Sequence, residues 1–168
     1  MKHKVWILRI VLIVLIIGWM VMIFGFSAED GDESQSLSDK ITIKVVHILK
    51  SDYESMPKVE QKEYFNKVSF VVRKIGHLGE YGILGLLVTG FLLTFEKIRN
   101  LKKRYIYLLA LLWCMVYAIS DEVHQMFVNG RSAKVIDVFV DMIGGLVAAV
   151  ILVAIWKTVN KRKEAKVS

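Results

Sequence analysis

A single proline and a single cysteine occur in 168 residues, and no internal repeat or low-complexity linker divides them. The lone cysteine, Cys114, excludes an internal disulfide. Set in the middle of an apolar segment, it reads as a small packing residue rather than a reactive thiol. The chain also lacks an HExxH helix and a Gly-x-Ser-x-Gly elbow, the specific marks of a zinc protease and of a serine hydrolase. Charge is scarce over four long stretches, which excludes an ordinary soluble domain.

What fills the chain instead is apolar, 55% of all residues. The runs cover about residues 5–26, 75–95, 105–126 and 135–156. The third is apolar only to Ile119, and its helix is expected to continue through the polar residues that follow. The first run comes after Lys2 and Lys4, as a signal peptide would. Its apolar stretch is longer than a signal core, and Phe26 breaks the small-x-small cleavage pattern, so it reads as a retained helix. The expected fold is an all-α integral membrane protein, a four-helix transmembrane bundle forming one domain over 1–168.

A net charge of +7 would suit nucleic acid, but its distribution does not. Lys2, Lys4 and Arg9, then Lys97, Arg99, Lys102, Lys103 and Arg104, then Lys157, Lys161, Arg162, Lys163 and Lys166 flank the apolar runs. Four crossings put all three groups on one side, and the positive-inside rule makes that side the cytoplasm, together with both termini. The charge then sets orientation and meets anionic lipid; no nucleic-acid partner is expected. Segment 27–74 lies outside. Within it, 27–38 reads as a polar loop. Ile41, Val45, Ile48 and Leu49, opposite Lys40, Lys44 and Lys50, read as an amphipathic external helix over 39–50 that lies on the membrane or caps the bundle. Residues 51–57 interrupt it, and Phe65, Val68, Val72 and Ile75 lead into the second membrane helix.

This orientation gathers the unusual polar residues at the external end. The first helix brings Ser27, Glu29 and Asp30; the second brings Arg73, Lys74, His77 and Glu80. The third brings Asp121, Glu122, His124 and Gln125, the fourth Asp137 and Asp141, and the loop between them Arg131. The opposite halves are almost purely aliphatic and aromatic. Helical rise puts Glu80 roughly 8 Å and Asp141 about 9 Å below the outer edge of their runs, so each needs a partner or water. Arg73, His77 and Glu80 share a helix face, Asp137 and Asp141 share another, and Asp121 with His124 forms a further i,i+3 pair. Gly76, Gly79, Gly82 and Gly85, with Gly144–Ala148 and Gly145–Ala149, are small-residue patterns suited to close helix packing.

Three motifs occur in order: Arg73-Lys74-x-x-His77-x-x-Glu80-Tyr81-x-x-Leu84-Gly85, then Ser120-Asp121-Glu122-x-His124-Gln125-x-Phe127-x-x-Gly130-Arg131, then Asp137-x-x-x-Asp141-x-x-Gly144. Together they resemble the motifs of the VanZ-like family of small bacterial membrane proteins, over most of the chain. Phe26-Ser27 and the serines at 34, 36 and 38 are similar to the family's looser first motif. Leu78 stands where an aromatic is frequent and Asn129 where proline is common, departures that bear on local loop shape. The resemblance implies a multi-pass protein of the bacterial cell membrane. It also implies a link with low-level resistance to teicoplanin-type, lipid-bearing glycopeptides, and it supplies no reaction.

The candidate catalytic residues are His77, Glu80, Asp121, His124 and Asp141. The candidate ligand-binding residues are Arg73, Lys74, Glu122, Gln125, Arg131 and Asp137. No metal ligand is assigned and no cofactor is specified. Arginine's fork suits phosphate, and histidine exchanges protons near neutral pH. These residues favour a protein that binds or modifies a cell-envelope lipid or lipid-linked wall precursor, with a lipoglycopeptide as a further partner. One alternative is a metal-dependent membrane hydrolase of a phosphorylated lipid, with His77-x-x-Glu80, Asp121-x-x-His124, Asp137 and Asp141 as donors. Another is a non-catalytic protein whose polar residues are packing ion pairs, joining Arg131 or Arg73 to Asp121, Asp137 or Asp141. Ser27, Ser120 and Ser132 make a weaker case for nucleophilic catalysis. A channel would need polar lining through the apolar half.

Overall fold

The computed structural model describes residues 2–29, 31–131 and 133–164, which are helical almost throughout. Helix α1 spans Lys2–Ala28, α2 Gly31–Leu49, α3 Lys58–Leu92, α4 Glu96–Arg99, α5 Lys103–Gln125 and α6 Val135–Glu164. No strand occurs among the described residues. Asp30, Ser132 and Lys166 fall outside them. Helices α1, α3, α5 and α6 are each long and apolar enough to cross a membrane. Segments of this composition become helical because a bilayer interior offers no water to backbone N–H and C=O groups, and a helix satisfies them internally.

Two expected boundaries change. Residues 27–38 are not a loop, since α1 runs to Ala28 and α2 already begins at Gly31. The physical reason lies in α2 itself. Leu37 precedes Ile41 by one helical turn and extends the apolar stripe backwards, while Gln35 Nε2 donates to Asp39 Oδ1 at 2.6 Å across i,i+4. The second membrane helix starts at Lys58, well ahead of the 75–95 run, with the Phe65, Val68, Val72 and Ile75 pattern that leads into that run already part of it. Pro57 sits just ahead of it, with extended backbone at φ −56° and ψ 141°, and a single 3-10 turn at Tyr53–Ser55 fills the expected interruption. With 35 residues, α3 is about 52 Å long, well beyond a hydrocarbon core of about 30 Å. Its projecting half carries α2, packed around Val46, Tyr53 and Val68.

The bundle is organised by α3 and α6, its most extensive helix pair. A Cβ on Gly85 would stand 2.5 Å from the Gly145 carbonyl oxygen, and one on Gly144 would strike the backbone of Leu78. A Cβ on Gly145 would lie 2.5 Å from Cys114 Sγ, so the buried cysteine is the small knob that α5 presses into this seam. By contrast Gly76 and Gly79 have nothing within 4 Å of that position, so the glycine stripe is required only over its inner half. Tyr81, Leu84, Val88 and Ala118 complete the adjoining core with Ile16 and Ile23 of α1.

At the apolar end, Arg9 ties the start of α1 to the end of α3. It donates from Nε to Thr94 Oγ1 and from Nη2 to the Thr94 carbonyl, both at 3.0 Å. Its guanidinium lies 3.9 Å over the Phe95 ring. A cation here offsets the carbonyl end of α3.

Because the seam has no room for a methyl group, Gly85→Ala is expected to lower stability by about 1–3 kcal/mol through overpacking. Gly79→Ala, made where space is open, should leave it unchanged or slightly higher. Thermal unfolding of the purified protein in detergent checks this; equal losses in the two variants would refute the account of the seam.

Candidate functional site

A cavity of about 190 Å³ opens at the end of the bundle opposite Arg9, lined by α1, α2, α3, α5 and the loop after α5. Arg73, His77 and Glu80 reach it from α3, Asp121 and Gln125 from α5, and Arg131 from the loop. The 73, 77, 80 spacing puts these three residues on one helix face, as expected from 3.6 residues per turn. Ser27 and Glu29 contribute from the end of α1, while Leu37, Ser38 and Ile41 of α2 form one side.

The loop places Arg131 through Gly130, which adopts φ 73°, a left-handed conformation that glycine takes without penalty. Arg131 then donates from Nη2 to the Phe26 carbonyl at 2.6 Å and from Nε to the Glu29 carbonyl at 3.1 Å. These acceptors lie where α1 ends and leaves carbonyls without helical partners. Arg131 therefore clamps α1 to the α5–α6 loop instead of pairing with Asp121, Asp137 or Asp141. Burial lowers its pKa from the ordinary arginine value, and the neighbouring Arg73 charge lowers it further; arginine keeps its proton regardless. Two cations are thus held near one cavity. Arg73 also donates to Gln35 Oε1 at 3.3 Å, linking the site to α2.

Behind His77 lies Asp141, with no exposed surface. His77 Nδ1 approaches Asp141 Oδ1 to 3.3 Å, yet neither atom makes an aligned hydrogen bond. Asp121 accepts from Gln125 Nε2 at 3.3 Å through Oδ2. Its Oδ1 is buried beside the Ser27 hydroxyl, the group placed to donate to it, although the two are not well aligned. Buried polar atoms are nearly always satisfied in native proteins, so His77 Nδ1, Asp121 Oδ1 and the two Asp141 oxygens, none with an aligned partner, are atoms that a ligand or water would satisfy.

A second cavity of about 210 Å³ lies on the other flank of α3, and Arg73 and His77 line it as well. Here Lys74 pairs with Asp137, their side chains only 18% and 11% exposed. The Lys74–Asp137 and His77–Asp141 contacts follow successive turns of α3 and α6, which run in the same direction along the glycine seam. Glu122 turns away and accepts the backbone N–H of Lys134 through Oε2 at 2.6 Å, holding the α5–α6 loop closed.

Of the expected site residues, Lys74 and Asp137 line only the second cavity, and His124, Glu122 and Asp141 line neither; His124 is the one turned to another partner altogether. Its ring stacks on Phe24 of α1, with centroids 4.0 Å apart and planes inclined by 25°. Sequence spacing pairs it with Asp121, but the two side chains serve different neighbours. Gln35, Phe24 and the buried Tyr81 hydroxyl were not anticipated as neighbours of the site. Only Gln35 carried a signal, through its i,i+4 partner Asp39. Among the described residues no three His, Cys, Asp or Glu side chains converge at metal-binding spacing.

Four long apolar helices, with their buried carboxylates Asp121, Glu122, Asp137 and Asp141 gathered at one end, define a small multi-pass membrane protein. The chain belongs to the VanZ/LLP1 family, whose family model it matches over residues 12–157. Neither the curated proteins nor the solved structures contain a match. The matched range includes all four long helices in most of their length, α2, and every residue of the two cavities.

Removing one member of a buried ion pair strands the other's charge. Lys74→Met is therefore expected to destabilise the protein by roughly 3 kcal/mol, and Lys74→Met with Asp137→Leu to recover most of that loss. A double variant as unstable as the single one, measured by thermal unfolding in detergent, would show that the pair is not the issue.

Proposed function

We propose that the polar end of the bundle faces the extracytoplasmic side of a bacterial cell membrane and binds the anionic headgroup of an envelope lipid or lipid-linked wall precursor. The orientation is supported by the cationic residues Lys97, Arg99, Lys102, Lys103 and Arg104, with Lys157, Lys161 and Arg162, which gather at the opposite end and mark the cytoplasmic side. α2 is then external.

The observation that carries the reading is the convergence of Arg73 and Arg131 with Glu80, Asp121 and His77 on one cavity at the membrane edge. Guanidinium groups recognise phosphate oxygens by directed, charge-assisted hydrogen bonds. Carboxylates in the same cavity repel a bare anion but accept from hydroxyl groups. The favoured head is therefore a polyol phosphate, with phosphate on the arginines and hydroxyls on Glu80 and Asp121. His77, backed by Asp141, is the group positioned to exchange a proton with it. Occupation or modification of such lipids at the outer leaflet would lower susceptibility to lipid-bearing glycopeptides that act there.

A second reading, a structural network without ligand, draws on the donors that Arg131 and Lys74 commit within the protein. Titration of dihexanoyl phosphatidylglycerol into the purified protein separates the two. Arg73→Ala is expected to weaken binding about 10- to 100-fold, the usual worth of a hydrogen bond to a charged group, while the protein still accumulates normally. Failure of the Arg73→Ala, Glu80→Gln and Asp121→Asn variants to accumulate would favour the structural network, and unchanged binding would remove the headgroup reading.

A further inference from the structure

We propose that the trough between α2 and α3 holds the hydrocarbon chain of the amphiphile whose anionic head occupies the polar cavity, an inference that rests on the reading of that cavity given above. The trough has a volume of about 590 Å³ and an almost wholly apolar lining, within the ordinary size range of ligand sites. Ile41, Val45 and Leu49 recur at i,i+4 along α2, facing Val68, Val71 and Ile75 of α3. The helices meet behind it at Val46 and Val68. In front they leave Ile41 49%, Leu49 64%, Val71 52% and Ile75 63% exposed.

Depth is the first reason to look for an occupant. About 20 helical residues fill the hydrocarbon core, and that length counted back from Leu92 reaches Arg73. Val68 and Val71 lie past it. Ile75 and Gly76 lie just inside it, but the part of the trough beyond Arg73 is not bathed by lipid tails as the outer faces of the bundle are, and exposing it to water is unfavourable.

Continuity is the second. Ile41, Val72 and Gly76 line both the trough and the polar cavity. Gly76 has open space where a Cβ would stand, so no side chain of that residue closes the passage. Charge is the third. One end of the combined site carries Arg73 and Arg131, and the other is aliphatic apart from Lys67, whose ammonium pairs with Glu63 at 2.6 Å. A phosphate at one end of an alkyl chain matches both ends at once. Free phosphate leaves the trough empty, and a purely apolar molecule leaves the arginines unused.

The test uses the purified full-length protein in detergent with phosphatidylglycerol that carries a diazirine near the end of one acyl chain. After irradiation, peptide mass spectrometry should find adducts on residues 41–49 and 68–75. Val71→Trp, which fills the trough from a half-exposed position, should reduce them about tenfold, and Arg73→Ala should do the same by releasing the head. Val45→Trp fills the opposite wall if Val71→Trp does not accumulate. Glycerol phosphate, the head without a chain, should still bind the trough-filled variants. If it does, but adducts scatter over the outward faces of α1, α5 and α6, the trough assignment fails and the headgroup reading stands. Trough adducts indifferent to Arg73→Ala overturn the joint site. Absence of glycerol phosphate binding to the unaltered protein overturns the headgroup reading and this proposal with it.

Discussion

The backbones of α3 and α6 touch, and the polar end of the molecule depends on that contact. Gly85 against Gly145, and Gly144 against Leu78, bring the two helix axes closer than any residue with a side chain would permit. Being parallel, the helices stay in register as they run outward, so Lys74 meets Asp137 and His77 meets Asp141. A wider seam would leave both aspartates buried without a counter-charge, at a cost of several kcal/mol each. The packing of the small residues and the electrostatics of the site are therefore a single constraint. The Cys114 side chain, wedged against Gly145, carries that constraint on to α5 and so to Asp121.

The polar groups then divide by task. Arg131, Glu122 and Lys74 are committed to holding elements together: a helix end, a loop and a neighbouring helix. Arg73, His77 and Asp121 stand at the cavity with part of their bonding capacity unspent inside the protein, as the His77 Nδ1 that approaches Asp141 without an aligned hydrogen bond illustrates. A polar residue at membrane depth is costly enough that an unfilled bonding capacity is a functional statement. This division also explains why charged residues so close in sequence are not interchangeable: Arg73 and Lys74 are adjacent, but one lines the cavity and the other closes a salt bridge.

Much of this was legible in the sequence because membrane segments obey strong local rules. Apolar length gave four spans, and helical spacing put Arg73, His77 and Glu80 on one face. The ordered motifs gave the family. What remained hidden depended on tertiary partners. Spacing pairs His124 with Asp121, yet Phe24, a hundred residues earlier, claims its ring. The sequence offers Asp121, Asp137 and Asp141 equally to Arg73 and Arg131, whereas Arg131 turns to backbone carbonyls that only appear where α1 ends. The serine-rich start of α2 concealed a helix whose apolar stripe ahead of Ile41 rests on Leu37 alone. The Phe65, Val68, Val72 and Ile75 pattern showed α3 reaching ahead of its apolar run, but not that α2 is what covers the projecting part, which only the tertiary contacts contain.

The walls of the cavity and its cover have different holds on the molecule. The walls are α1, α3 and α5, each packed on at least two other long helices, whereas α2 packs chiefly on α3 alone, around the small cluster of Val46, Tyr53 and Val68. Segments with fewer buried contacts open at lower free energy than the core of a fold. The cavity is thus bounded by two cooperative units of unequal stability, and its accessibility is governed by the weaker one. Substitutions at the α2–α3 contact would alter how often the cavity is exposed while leaving its chemistry, set by the glycine seam, intact.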